Sequence, residues 1–423
     1  MIDIQLIRDN SAEVIRRYEV RNFDATGPVN RIKELDATRR QTQKQLDDTL
    51  AEGNAIAREI GQLFKTGRSS EAAALKEQSL LLKQRAKDLQ EQLDMAAKEL
   101  SETMTGLPML PHHSVPPGTT EADNEIVHTE GDLPGLFNNA VPHWELAGKY
   151  DIIDFEAGTK VTGSGFPIYK GKGARLQRAL ISFFLDEAAQ AGYTEYQPPL
   201  LVNADSAFGT GQLPDKDGQM YHVPSDNLYL IPTSEVPVTN IFRDMILNEK
   251  DLPVKCTAHS VCFRREAGSY GKDVRGLNRL HQFDKVEIVQ VTHPEKSYQA
   301  LDEMVNYVTT LLQKLELPFR VARLCGGDLG FAAALTYDME VYSAAQKRWL
   351  EVSSISNFET YQAQRMKLRF RSQDGKNLLA HTLNGSALAL PRIMAALLEN
   401  NQSEEGISIP AALQKYTGFA IIS

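Results

Sequence analysis

Apolar positions repeat every three and four residues over the first hundred positions, and the spacing becomes mixed beyond about residue 135. From Val29 to Leu63 there is no proline, and a heptad repeat is continuous. Ile32, Arg39, Leu46, Gly53 and Ile60 occupy one core position, and Leu35, Thr42, Thr49, Ile56 and Leu63 the other. The segment KTGRSS then interrupts the pattern. A second register resumes with Leu75, Leu82, Leu89 and Ala96 beside Ser79, Ala86, Leu93 and Leu100. Two heptad runs around a Gly-containing break predict an antiparallel helical hairpin. At 1.5 Å per residue each helix would be roughly 50 Å long. Such a pair is too thin to form a globule and should project as an arm.

Residues 105–134 begin with TGLPMLPHHSVPPGTT, rich in Pro and Gly, and read as a linker. His112 and His113 are adjacent, which rules out the i, i+4 geometry of a helical metal pair, so they read as surface residues. Residues 135–423 mix helical and strand periods. Helices are predicted at Ala174–Ala191, Glu295–Leu315 and Leu388–Glu399. Strands are predicted at Tyr193–Val202, His259–Arg264, Lys285–Val291, Phe319–Leu324, Trp349–Asn357 and Leu368–Arg371. Helices and strands do not alternate strictly, and neither GxGxxG nor GxxxxGK[ST] occurs. An antiparallel-rich α+β domain follows.

The 423 residues are 42% apolar and 24% charged, which is ordinary for a soluble globular chain. A net charge of −9 argues against a generally basic DNA binder. Residues 31–100 carry 13 Lys and Arg against 12 Asp and Glu, so the hairpin is the part least repulsive to a polyanion. A coiled coil serving dimerisation or solubility is the blander reading of the same pattern. Three cysteines without a CxxC pair suggest a reducing, cytoplasmic setting. No leader-like N-terminus or membrane-length apolar run is present.

Four stretches could carry chemistry. Val261–Val289 reads as two strands joined by a basic, Gly-rich loop, with Arg264, Arg265, Lys272, Arg275 and Arg279 within 16 residues. Guanidinium forks suit phosphate oxygens, and Phe283 offers a stacking face. Glu266 and Glu287 stand near the two strand ends. In WLEVSSISNF, Glu351 and Ser354 could reach a hard cation such as Mg²⁺. In HTLNGSALALPR, Arg392 sits inside an apolar helical run and needs a partner, either a triphosphate or a core carboxylate. In LIPTSEVPV, Thr233, Ser234 and Glu235 form a polar cluster suited to a small ligand bearing an ammonium group, or to a capped turn. No GxSxG, HExxH or Cys/His cluster is present, so neither a serine hydrolase nor zinc is expected.

Taken together, GTGQLP, PTSEVP, FRREAGSYGKDVRGLNRLHQFDKVE, EVSSISNF and HTLNGSALALPR resemble the class II aminoacyl-tRNA synthetases. The resemblance is closest to the bacterial-type seryl-tRNA synthetase family and covers essentially the whole chain. It implies an N-terminal tRNA-binding domain over 1–104 and a catalytic and dimerisation domain over 135–423. It implies a homodimer formed through motif 1, here Ala174–Val202. It implies activation of L-serine by ATP to seryl-adenylate, followed by transfer to the 3′ end of tRNA(Ser), which the hairpin arm binds across the dimer.

Residue roles follow by position within that resemblance. Arg264 would bind the α-phosphate and the serine carboxylate. Glu266 would lie near the adenine or the tRNA 3′ end, Phe283 would stack on adenine, and Arg275 or Arg279 would meet the γ-phosphate. Arg265, Val352 and Ser353 would complete the ATP site. Glu351 and Ser354 would hold Mg²⁺, and Arg392, the motif 3 arginine, would face Phe283 or the γ-phosphate. Thr233, Ser234, Glu235, Glu287, Asn384 and Ser386 would form the serine pocket.

Three positions depart from the family pattern. Pro391 precedes Arg392 where motif 3 commonly has GLAxGR, Phe166-Pro167 replaces an arginine and an aromatic, and Phe208 replaces a basic residue. Rival readings are a synthetase-like enzyme acting on a carrier protein, another class II specificity, and a non-catalytic paralogue. The hairpin counts against the first and the absent zinc cluster against threonine. The retained Arg264 and Arg392 count against the third.

Overall fold

A computed structural model describes residues 1–423 except 216 and 268–274. The chain divides into two compact units, one of residues 1–19 and 23–108, the other of residues 20–22 and 109–423.

The first unit is helical. Helices Thr26–Lys65 and Ser69–Thr105 pair along their length. The first has 40 residues and is about 60 Å long at 1.5 Å per residue. Gly67 takes a left-handed φ of +77° at the turn, which suits the residue without a Cβ. Every apolar heptad position named above is buried or half-buried, and Leu46, Leu89 and Leu93 form a cluster of their own. A shorter helix, Ile4–Glu19, adds an ion pair that the heptad does not announce. Arg8 reaches the buried Asp36 with Nε and Nη2, both at 2.7 Å. That hydrogen bond holds the Asp36 carboxyl below its ordinary pKa against the opposing effect of burial.

The second unit is built on an eight-stranded sheet. Its order is Glu125–Glu130, Phe319–Arg323, Leu335–Ser343, Arg348–Glu359, His381–Ala389, Gln282–Thr292, Val254–Phe263 and Thr194–Glu195. All pairings are antiparallel except the last. Gln282–Thr292 and His381–Ala389 are buried over most of their length, with helices packed against them. Gly171–Gln190, Ser297–Lys314 and Leu390–Asn400 supply Phe183, Leu301, Val308, Ile393 and Leu397 to one core. Pro391 lies in the first turn of Leu390–Asn400, where its missing N–H has no helical acceptor to leave unpaired.

Residues 105–134 differ from the expected linker. Met109 and Val115 are buried in the sheet core, and Glu125–Glu130 is an edge strand paired with Phe319–Arg323. Prolines and glycines marked this segment as loop, but its apolar side chains and the β-favouring run IVHT fasten it down. His112 is half-buried rather than a surface residue, its ring 4.0 Å from that of Tyr298.

Candidate active site

Two neighbouring cavities share Glu351 in their walls. The smaller, of about 180 Å³, lies between the antiparallel pair Val254–Phe263 and Gln282–Thr292 and the start of helix Leu390–Asn400. Arg264, Glu266, Arg279, Phe283, Lys285, Glu351, Val352, Ser353, Ser386 and Arg392 line it. The larger, of about 840 Å³, is lined by Glu235, Arg320, Asp338, Glu340, Arg348, Trp349, Glu351 and Ser354, among others.

The strand pair positions the cationic end of the smaller cavity. Register pairing places Phe283 opposite Cys262 and Glu287 opposite Ala258. Arg264 follows the strand end, its guanidinium carbon 5.1 Å from the Phe283 ring centre. Arg279 Nη1 donates to Glu266 at 2.8 Å. Arg392 Nη1 donates to the Glu351 carbonyl at 2.7 Å, and its Nε to the Asn278 carbonyl at 3.0 Å.

The polar floor is more deeply buried. Glu287 is 2% exposed and pairs with Lys285, itself 6% exposed. Thr233 Oγ1 donates to Glu287 Oε2 at 3.1 Å. The backbone of PTSEVP is held to the same strand pair, because Phe263 N–H donates to the Ile231 carbonyl at 2.8 Å. Gln362 Nε2 donates to Glu235 Oε1 at 2.6 Å. Burial, and then the nearby Glu287, pushes the Glu235 carboxyl up to about 7. The Lys285 charge, and then the Gln362 and Asn384 amides, work in the opposite direction. Ser386 pairs in register with Glu287, so one rung joins the polar floor to the wall of the smaller cavity.

In the wall of the larger cavity, Asp338 and Ser354 face each other in register. Burial, and then Glu351, raises the Asp338 carboxyl well above its ordinary range, while the Ser354 hydroxyl lowers it. Asp338 Oδ1 is buried with no hydrogen-bond partner. Two carboxylates and a hydroxyl fit a divalent cation that takes its remaining ligands from phosphate and water. Among the described residues no group of three or more His, Cys, Asp or Glu could hold a metal alone.

Comparison with known proteins gives this geometry a family. Residues 221–401 match the tRNA synthetase class II core domain (G, H, P, S and T), and residues 1–111 match the seryl-tRNA synthetase N-terminal domain. The serine–tRNA ligase of Salinibacter ruber is 50% identical over 424 residues, covering 100% of this chain and 99% of its own. The chain belongs to the seryl-tRNA synthetase family. Seryl-tRNA synthetase from Pyrococcus horikoshii, solved with ATP, superposes with a TM-score of 0.93 at 35% identity, over 100% of this chain and 99% of that one. The serine–tRNA ligase of Naegleria fowleri, solved with AMP, gives 0.88 at 28% identity, over 100% and 99%. The antiparallel α+β core preceded by a helical arm is therefore the class II seryl architecture, and the chain is an ATP-dependent ligase of that class.

Within this family architecture, the structure does not gather every residue that the resemblance named. Arg264, Glu266, Arg279, Phe283, Glu351, Val352, Ser353, Ser386 and Arg392 share the smaller cavity. Ser354 and Glu235 open on the larger one. Thr233, Glu287 and Asn384 are buried behind them. Ser234 is completely buried and donates to Ser260 Oγ at 2.6 Å, which makes it a support for the strand rather than a contact for ligand. Arg275 leaves the phosphate cluster and lies over Trp144, its guanidinium carbon 4.6 Å from the ring centre. Arg265 is exposed and lines neither cavity. Arg264, not Arg392, covers Phe283. Lys272 lies outside the described residues.

Sequence reasoning missed Lys285 and Asp338. Lys285 opens a predicted strand, where a cation beside apolar residues was the available signal, whereas Asp338 lies on Leu335–Ser343, a strand not predicted above. Two departures have local explanations. Phe166 stacks on His281 at 5.3 Å, and Phe208 lies under the Arg365 guanidinium at 4.6 Å.

Proposed function

We propose that the two cavities form one seryl-adenylate site, with ATP in the smaller and serine over the polar floor beside it. The reading is carried by one observation: the buried anionic floor of Glu287 and Glu235 adjoins the arginine-lined cavity through the Glu287–Ser386 rung. A serine ammonium suits Glu235 and Thr233, and a serine hydroxyl suits the Glu287 carboxylate. The carboxylate of serine would then face Arg264.

The reaction needs positioning and charge neutralisation more than a covalent catalyst. A serine carboxylate oxygen attacks the α-phosphorus of ATP, that P–O bond forms, and pyrophosphate leaves with the broken bridging oxygen. In the second step a 3′-terminal ribose hydroxyl of tRNA(Ser) attacks the adenylate carbonyl and AMP leaves. Arg264, Arg279 and Arg392 would offset phosphate charge. Glu351, Ser354 and Asp338 would hold Mg²⁺, which when bound supplies further neutralisation of the triphosphate. No general base is required in the first step, because the nucleophile is already an anion. Alanine would deny Glu287 the hydroxyl donor that serine brings, a loss of the kind that separates hydroxyl from methyl by about 10⁴.

The helical hairpin would bind tRNA(Ser) by shape and backbone, in a homodimer, with salt weakening the interaction. No described helix is long and apolar enough to cross a membrane. Cys256, Cys262 and Cys325 are buried and free, which supports a reducing, cytoplasmic setting. ATP–pyrophosphate exchange with each amino acid in turn, without tRNA, tests the proposal. Exchange stimulated by serine alone is the expected result, and exchange driven by another amino acid would overturn the pocket.

A further inference from the structure

Residues 275–278 lie just before the strand Gln282–Thr292, and what holds them there is remote in sequence. His143 opens the helix His143–Lys149 and is fully buried. Its Nδ1 lies 2.7 Å from Glu399 Oε1, and its backbone N–H donates to the same oxygen at 3.0 Å. Leu277 N–H donates to His143 Nε2 at 2.8 Å. These contacts fix the ring. Nε2 accepts and so carries no proton, and Nδ1 carries the proton that reaches the carboxylate.

The network continues to the phosphate end of the cavity. Glu399 also accepts from Ser343 Oγ and, at 3.1 Å, from Gln346 Nε2. Burial pushes the Glu399 carboxyl up, but the hydrogen bonds from His143 and Ser343 outweigh it and hold the group below its ordinary range. Gln346 Oε1 accepts from Asn278 Nδ2 at 2.9 Å, and the Asn278 carbonyl accepts from Arg392 Nε at 3.0 Å. Gly276 has φ +66°, and a Cβ there would stand 2.2 Å from His143 Nε2, so the backbone passes the imidazole with no room for a side chain. One residue before it, Arg275 lies on Trp144, the neighbour of His143. One helical turn therefore grips three successive residues.

We propose that His143 is a positioning residue for the ATP site: the buried His143–Glu399 pair clamps the backbone at Leu277 and, through Asn278, sets Arg392 at the cavity wall. This rests on ATP occupying the smaller cavity. A purely structural pair would hold two helices together without favouring either substrate.

Serine-dependent ATP–pyrophosphate exchange separates the two roles. His143→Asn keeps an amide donor near Nδ1 for Glu399 but loses the acceptor for Leu277. His143→Gln keeps an acceptor near Nε2 and loses the contact with Glu399. His143→Asn should raise the KM for ATP about tenfold, the cost of one modest hydrogen bond, and leave the KM for serine within about twofold. His143→Gln should lie nearer the wild-type KM for ATP even with a lower Tm. Gly276→Ala pushes a methyl into Nε2 without touching the buried carboxylate and should also raise the KM for ATP. Unchanged ATP KM values in His143→Asn and Gly276→Ala would overturn the clamp, whatever happens to kcat or Tm. So would a His143→Gln enzyme no better than His143→Asn. Wild-type protein without serine-dependent exchange would overturn the functional reading, and the clamp with it.

Discussion

The helical hairpin buries one seam of side chains, while the sheet domain buries whole strands together with several charged groups. In the hairpin, Leu46, Leu89 and Leu93 meet across the seam, and Leu80, Leu81 and Met95 remain exposed. In the sheet domain, Lys285, Glu287, Asp338 and Glu399 sit on elements packed into the core. A seam needs only a repeat and tolerates Thr42, Thr49 and Gly53 at its positions. A site needs charges where burial opposes them, so each must be held by a specific partner.

The two regions also answer to pH in opposite senses. Asp36, in the first unit, has a lowered carboxyl because Arg8 bonds it. Its contribution to stability is present above the unfolded carboxylate pKa near 4 and is lost as pH falls through the lower folded value. Glu235 is raised to about 7 by burial. Between its unfolded pKa of about 4.3 and 7 the folded state binds the proton that the unfolded state releases, so stability falls as pH rises through that window.

The strongest way to break the comparison is to remove one region. Deleting residues 32–100 should leave serine-dependent pyrophosphate exchange intact and abolish charging of tRNA(Ser), read by acid-precipitable aminoacyl-tRNA. Charging at normal efficiency would end the assigned division of labour. Arg264→Ala should lower exchange by about 10³ or more, on the scale of other preorganised charge-stabilising groups. Glu287→Gln should erode discrimination between serine and alanine by about 10²-fold or more, measured as the ratio of kcat/KM in exchange.

Smaller effects sharpen the contrast. Serine binding by calorimetry should tighten as pH rises from 6 to 8 and should release a proton to the buffer, as the anionic form of Glu235 receives the ammonium. A proton-neutral titration would contradict that role. Leu93→Ala should cost about 2–3 kcal/mol in the hairpin's unfolding transition and leave exchange unchanged. A loss of exchange with it would show that the two regions are not functionally separate.

The hairpin was legible almost residue by residue, because a heptad repeat is local. Several helices of the sheet domain were legible to within a few residues, as with Gly171–Gln190 against the expected Ala174–Ala191, but the central strands Leu335–Ser343 and His381–Ala389 were not, because polar residues interrupt their apolar pattern. The site was legible as residue types and through the family resemblance, not as contacts. Glu287 and Ser386 meet only because two distant strands pair in one register. Arg275 shares its composition signal with Arg264 and Arg279, yet a Trp from another element takes it away. Residues 125–130 read as part of a linker because edge-strand membership depends on a partner nearly two hundred residues later.

The most direct measurement is binding of a non-hydrolysable seryl-adenylate analogue, seryl-sulfamoyl adenosine, beside its alanyl counterpart. A single joined site predicts that the seryl compound binds more tightly than AMP or serine alone and about 10²-fold or more above the alanyl compound. Equal affinity for the two analogues would contradict the joined site and its buried Glu287 acceptor.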